Sequence, residues 1–361
     1  MMKKLLLVTL LLLPVLVNAQ YVGLNDKEVQ SLKDLIGNDA SVKQLYNQYQ
    51  TLADVAVNVN PNPIDTIRSE GLLKGNPKKT ATAYAMRDMG KMYALAIVYR
   101  VSGEKNYLTN LGAYLTAWAK VNTGRGDPID DTGLDQAIEA YDLVKAKLKP
   151  NDNDLIVKWF KQTADAEIEG HKKGMNKETS YNNWNSHRLK IVAMIAYAIN
   201  NNEYKKYVDE DLKRQLEKNL MPDGSSVDFK LRDALHYHVY DLEPLLKLAI
   251  ILKRATGVDE YAAATASGAS IKKSVEWVVP YITGQKTHGE FVNSTVKFDQ
   301  ARAQNGEAEY KPGTLWDAKN GYKTLALAAY FDPQYSNTLK TVKATTNDYS
   351  DWQLVLNKVT Q

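Results

Sequence analysis

Apolar residues recur every three or four positions along most of this chain, and that spacing, more than any other feature, restricts what it can fold into. The pattern runs through residues 86–101, 108–118, 134–144, 155–166, 189–199, 240–252, 271–279 and 315–330. Between these stretches stand residues that end helices: Ser102-Gly103, Lys149-Pro150, Asn200 to Asn202, Met221-Pro222-Asp223-Gly224 and Ala255-Thr256-Gly257. Such a succession predicts helical hairpins in series. Candidate strands are few, no Pro/Gly/Ser-rich linker divides the chain, and no repeat of fixed period marks a regular solenoid. The expected fold is all-α, a single incomplete (α/α)n toroid whose hairpins surround a groove lined by loops and helix starts.

The first residues follow a different logic. Lys3 and Lys4 precede an apolar run over residues 5–17, and Val17-Asn18-Ala19 before Gln20 has the small residues of a cleavage site, the pattern of a secretory signal peptide. The run is short for a membrane span. Residues 1–19 are expected to be removed after Ala19, leaving residues 20–361 as one domain, monomeric and free of the membrane, in the periplasm or outside the cell. Loss of the two lysines lowers the formal charge from +4 to +2, and no polybasic run suggests nucleic acid as a partner. The chain has no cysteine, which excludes disulfides and thiolate metal sites. A chain of this length buries enough surface to fold without them.

Chemistry concentrates in two segments, Tyr181-Asn182-Asn183-Trp184-Asn185-Ser186-His187-Arg188 and Arg232-Asp233-Ala234-Leu235-His236-Tyr237-His238-Val239-Tyr240. Together they hold three of the five histidines beside amides, arginines and tyrosines. Both run into apolar helical stretches, so their polar residues sit where helices begin and loops end, where sites are commonly built. The mixture suits proton transfer beside an anionic substrate. On a helix starting near Asn183, Asn183 and His187 lie at i and i+4 on one face; the amide offers two donors and the imidazole one. Asp241, Glu243 and Pro244 read as the start of the next helix, since proline is tolerated in a first turn. Tyr240 would then sit at the positive helix end, where the dipole and Arg232 favour a tyrosinate.

Plainer roles stand beside these. His236 and His238 would pack or touch sugar; as a metal fragment they lack a third ligand, and no metal or other cofactor is expected. His171 and His288 read as surface residues. Lys74, Lys78 and Lys79 form either a solvated face or a rim that binds acidic sugar. Twenty-two tyrosines and six tryptophans against five phenylalanines suit a wet groove that stacks sugar rings, with Trp184 either stacking or plugging the toroid. Asn185, Arg188 and Tyr237 complete the candidate substrate contacts.

Several of these segments carry a resemblance. Tyr99-Arg100-Val101-Ser102-Gly103-Glu104-Lys105-Asn106-Tyr107, Leu115-Thr116-Ala117-Trp118-Ala119, the run 135–144 with Glu139, Tyr141 and Asp142, Asn182-Asn183 to His187, and Ala234 to Tyr240 are similar to the alginate lyase family of α/α-toroid polysaccharide lyases, over roughly residues 80–255. The resemblance implies β-elimination on a uronate polysaccharide, alginate or a related glucuronan. A neutraliser withdraws charge from the uronate carboxylate, a base takes the C5 proton, and an acid protonates the O4 leaving oxygen, giving a 4,5-unsaturated end.

It places His187 on the family's active-site histidine, Tyr240 on its tyrosine, and Arg232 nearest its arginine. Two positions depart from the family pattern: Asp233 separates Arg232 from Ala234, and Ser186 rather than an asparagine precedes His187. Asn183 and Asn185 are therefore rival neutralisers, and His187 and Tyr240 rival bases. Two other classes remain open. A glycoside hydrolase on the same toroid would draw two carboxylates from Asp88, Glu139, Asp142 and Asp233. A glycan-binding protein would keep the groove and lack the chemistry.

Overall fold

A computed structural model describes residues 21–361; the signal peptide expected over residues 1–19 lies outside the described residues. The chain is 69% helical. It opens with α1 (Asp26–Asn38) and α2 (Ala40–Val57), the first started by an Asn25/Glu28 capping box and the second by the Asp39 carboxylate. A loop over residues 58–76 leads to α3 (Pro77–Ala85). The hairpin of α4 (Arg87–Ser102) and α5 (Lys105–Val121) turns at Gly103, whose φ of 78° a side chain would resist.

Next come α6 (Pro128–Asp131), α7 (Asp135–Val144), α8 (Pro150–Gly174), α9 (Asn183–Ala198) and α10 (Asn202–Asn219). The second half holds α11 (Val227–Arg232), α12 (Leu235–Thr256) and α13 (Ile271–Ile282). A two-residue antiparallel pair, β1 (Gly289–Glu290) with β2 (Thr314–Leu315), brackets α14 (Lys297–Gln304). The chain finishes with α15 (Tyr322–Ala328), α16 (Gln334–Val342) and α17 (Trp352–Thr360).

The hub is α9. From Asn185 to Ala198 every side chain is buried, against α12, α10, α7 and α8. A helix enclosed on all faces belongs in an interior, and each polar residue it carries then needs a partner. One hydrophobic core runs from Val22 to Val359. Its largest fully buried side chain, Trp118, contributes on the order of 3 kcal/mol by burial and satisfies its indole N–H on Asp88 at 3.0 Å. The ring of hairpins is joined where α17 packs on α1 and α2 and Trp352 donates to the Tyr93 hydroxyl at 3.1 Å.

Two expected elements differ. The stretch 315–330 is helical only in Tyr322–Ala328, because Leu315 pairs with Gly289 and points to solvent. The helix expected to start at Asp241 starts at Leu235 instead, and Pro244 lies inside it.

Candidate active site

The start of α9 is fixed from its own N-cap and from across the chain. The Asn182 side chain accepts from the Trp184 amide at 3.0 Å. Asp228, wholly buried on α11, accepts from the Asn183 backbone at 2.7 Å and from its side-chain amide. Asn183 is thereby locked, with one amide hydrogen left to give. One turn on, the His187 ring is buried: Nδ1 lies 2.9 Å from the Thr132 hydroxyl, and Nε2 has no close hydrogen-bond partner among the described residues. Lys190 donates to the same hydroxyl at 2.6 Å and to the Asp135 carboxylate. Burial, then the nearby Lys190 and Lys323 charges, holds the His187 pKa well below the ordinary imidazole range.

Tyr240 faces this histidine from α12, with ring centroids 4.3 Å apart. His236 lies parallel to the same tyrosine at 6.2 Å. No described protein group hydrogen-bonds the Tyr240 hydroxyl. The helix begins five residues earlier, where the Glu290 carboxylate from β1 accepts from the Leu235 and His236 amides at 2.7 and 3.0 Å. Tyr240 is therefore in the second turn, away from the first-turn amides, and the dipole argument for a tyrosinate does not hold. Burial, then Glu70 and Glu243, raises its pKa and keeps it protonated.

Arg232 ends α11 and lies over the Tyr237 ring, its Cζ 3.8 Å from the centroid, with Nη1 on Asp299 at 2.5 Å. The Tyr237 hydroxyl accepts from Arg302 at 2.6 Å, and Arg302 lies over Tyr310 and Phe298. Two arginines thus meet around one tyrosine beside Tyr240. Asp233, the residue that breaks the family pattern, adopts a left-handed φ of 48°, a conformation that aspartate tolerates better than most. Its carboxylate accepts from the Asn293 amide at 3.0 Å and its carbonyl from the Phe291 amide at 2.8 Å. The extra residue is a turn that ties α11 to the segment behind β1.

The loop 58–76 runs along one side. The Asp130 carboxylate accepts from the Ser69 and Glu70 amides, and Glu307 from the Lys74 amide at 3.0 Å. This brings Glu70 within electrostatic reach of Tyr240.

Other expected contacts are turned elsewhere. His238 points to the far side of α12, its nitrogens at 3.0 Å from the Ser226 hydroxyl and 3.2 Å from the Ser274 carbonyl. Asn185 donates to Asp211 and Gln215, and Arg188 is buried against Glu167. Both serve the interior; of the two rival amides, Asn183 is the one that stands a helical turn before His187 on the same face. Trp184 stays part-exposed. Lys79 turns back onto the Leu72 carbonyl, Lys74 anchors the loop through its backbone, and Lys78 lines a surface cavity with Arg68 and Arg125.

His171 is buried between Tyr207 and Arg214, not at the surface. Asp88 is engaged by Lys91 and Trp118, Glu139 by Lys247, and Asp142 by Lys145. None of these carboxylates belongs to the His187–Tyr240 pair. Thr132, Lys190, Glu290 and Arg302 escaped the sequence reading. Only Lys190, a lone charge within an apolar helical run, left a signal there.

The sequence model of the alginate lyase family matches residues 37–288. The chain belongs to the alginate lyase family. As a member it is a polysaccharide lyase. An alginate lyase from Bacteroides ovatus has a similar fold, with a TM-score of 0.66 and 16% identity over 91% of this chain and 97% of that one. Alginate lyase A1-III from Sphingomonas species A1 gives 0.55 and 19%, covering 75% of this chain and 80% of its own. A variant of that enzyme with a histidine changed to alanine, in complex with a tetrasaccharide, gives 0.58 and 18% over 88% and 89%. These likenesses establish a helical toroid fold for this family member. No curated protein matches the chain.

Proposed function

We propose that this alginate lyase family member cleaves alginate, or a related β-linked uronan such as glucuronan, by β-elimination at the His187–Tyr240 pair. The observation that carries the reading is the ring contact of 4.3 Å between a buried histidine, whose Nε2 has no close hydrogen-bond partner among the described residues, and a tyrosine whose hydroxyl no described protein group holds. His187, with the remaining amide hydrogen of Asn183, would donate to the uronate carboxylate and let the charge developing at C5 spread onto it. Tyr240, ionised in only a small fraction because burial raises its pKa, would in that form take the C5 proton. The C5–H electron pair forms the C4=C5 double bond, the C4–O4 bond breaks, and O4 recovers the proton from Tyr240. Arg232 and Arg302 would supply positive charge beside an anionic chain.

The reading is supported by A1-III variants solved with a tetrasaccharide, one with a histidine changed to alanine and one with a tyrosine changed to phenylalanine. These are the residue types paired here. A periplasmic or extracellular location belongs to the proposal and rests on the leader pattern of residues 1–19; action by a monomer on an extended polymer belongs to the proposal as well. The test is incubation with alginate, polymannuronate, polyguluronate, glucuronan and neutral glycans, following ultraviolet absorbance of the new conjugated double bond. Growth on a uronan fits the proposal. Reducing ends without absorbance would point to a hydrolase, and retention without cleavage to a binding protein.

A further inference from the structure

We infer that Thr132 and Lys190 lock His187 in the tautomer with its proton on Nε2, so that it serves as a hydrogen-bond donor and is withdrawn from the possible bases; this rests on the reading of His187 as a substrate-facing group. The deduction starts at Lys190, whose ammonium can only donate. It gives hydrogens to the Thr132 hydroxyl at 2.6 Å and to the Asp135 carboxylate. The Thr132 oxygen, already an acceptor, still carries one hydrogen, and the other atom in reach is His187 Nδ1 at 2.9 Å.

If Nδ1 carried the proton, two donors would aim at one oxygen and the hydroxyl hydrogen would have no acceptor, a loss of about 1–3 kcal/mol for a buried group. Nδ1 therefore accepts, and in a neutral ring the proton lies on Nε2. The neutral state follows from burial and from the Lys190 and Lys323 charges.

A second observation agrees. Pro244 lies inside α12 and has no N–H for the carbonyl of the residue four before it, which is Tyr240. That backbone group is the one influence on His187 that favours a protonated nitrogen. Lys190 and Thr132 are positioning residues, acting on substrate only through His187.

The experiment is nitrogen-15 NMR of histidine-labelled protein, with His187 assigned by loss of its signals in His187→Gln. The wild-type ring should show a protonated Nε2 and an unprotonated Nδ1 between about pH 6 and pH 8. Thr132→Val should move the ring toward the other tautomer or a mixture and lower kcat by up to about 10⁴, the scale on which holding the wrong tautomer costs an enzyme, with KM changed far less. Thr132→Ser should restore both. Lys190→Met, which frees the hydroxyl to turn and accept, should shift the tautomer without removing Thr132. A wild-type ring protonated on Nδ1 or on both nitrogens would overturn the inference, as would an unchanged tautomer in both Thr132→Val and Lys190→Met. The NMR result is independent of turnover, so a protein with the expected tautomer but no lyase activity would count against the proposed function alone.

Discussion

Two tyrosines three residues apart on α12 should respond in opposite ways to loss of one oxygen. In Tyr237→Phe the Arg302 guanidinium, only 8% exposed and with Nε already lacking a partner among the described residues, loses the hydroxyl 2.6 Å away. A hydrogen bond to a charged group is worth about 1.5–3 kcal/mol, and the Asp299 carboxylate 3.9 Å away recovers little of it. Unfolding entropy of about 2.1 cal/mol/K per residue makes the expected fall in melting temperature about 2–4 °C for a chain of this length.

Tyr240→Phe removes a hydroxyl that no described protein group holds, so stability should change by no more than about 0.5 kcal/mol. Its kcat should fall by about 10² to 10⁴, the usual worth of a positioned proton carrier. Urea unfolding and the absorbance assay on the same two samples provide the check. Tyr237 is therefore a stability partner of Arg302. A Tyr237→Phe protein as stable as wild type, or a Tyr240→Phe protein that keeps its kcat, would refute the reasoning for that residue.

Three further outcomes follow from the same geometry. Burial raises the Asp241 pKa to about 8, beyond what its bonds from Ser186 and Asn219 offset. The folded chain then holds a proton that the unfolded chain releases above about pH 4, and stability falls as pH rises from about 4 to 8, by at most about 1.4 kcal/mol per unit. Asp241→Asn should flatten that slope, and parallel melting curves against pH would contradict it. Because burial also raises the Tyr240 pKa, a tyrosinate base predicts that kcat/KM climbs about tenfold per pH unit from neutrality upward; a flat profile would exclude it. A single residue that both takes the C5 proton and protonates O4 needs the two on one face of the ring, which holds for mannuronate and glucuronate and not for guluronate. Initial rates should therefore rank polymannuronate and glucuronan above polyguluronate, and the reverse order would require a second proton carrier.

The toroid was legible because its central helices bury apolar stripes wide enough to recognise. The run 189–199 became the interior of α9, and the Gly103 and Gly257 stops became left-handed helix caps. Helix α10 was passed over because its buried stripe is narrow, Tyr204, Val208, Leu212 and Leu216 on an otherwise charged helix. The start of α12 was misplaced because its cap is Glu290, fifty-five residues from Leu235, and no local pattern announces a cap supplied from there. His187 and Tyr240 stood out as residue types in a segment. Nothing near Arg302 marked it as the partner of Tyr237, since that contact exists only after α14 is brought back over α12. Nor could spacing tell His236 from His238, which leave the same helix in different directions, one toward Tyr240 and the other toward Ser226 and Ser274.

The central claim is that the chain eliminates across C4–C5 and adds no water. A uronate tetrasaccharide digested in oxygen-18 water and read by mass spectrometry tests it most directly. The account predicts fragments whose masses sum to that of the tetrasaccharide, one of them unsaturated, with no oxygen-18 incorporated by wild type and no fragments from Tyr240→Phe on the same time scale. A fragment heavier by one labelled water would contradict it.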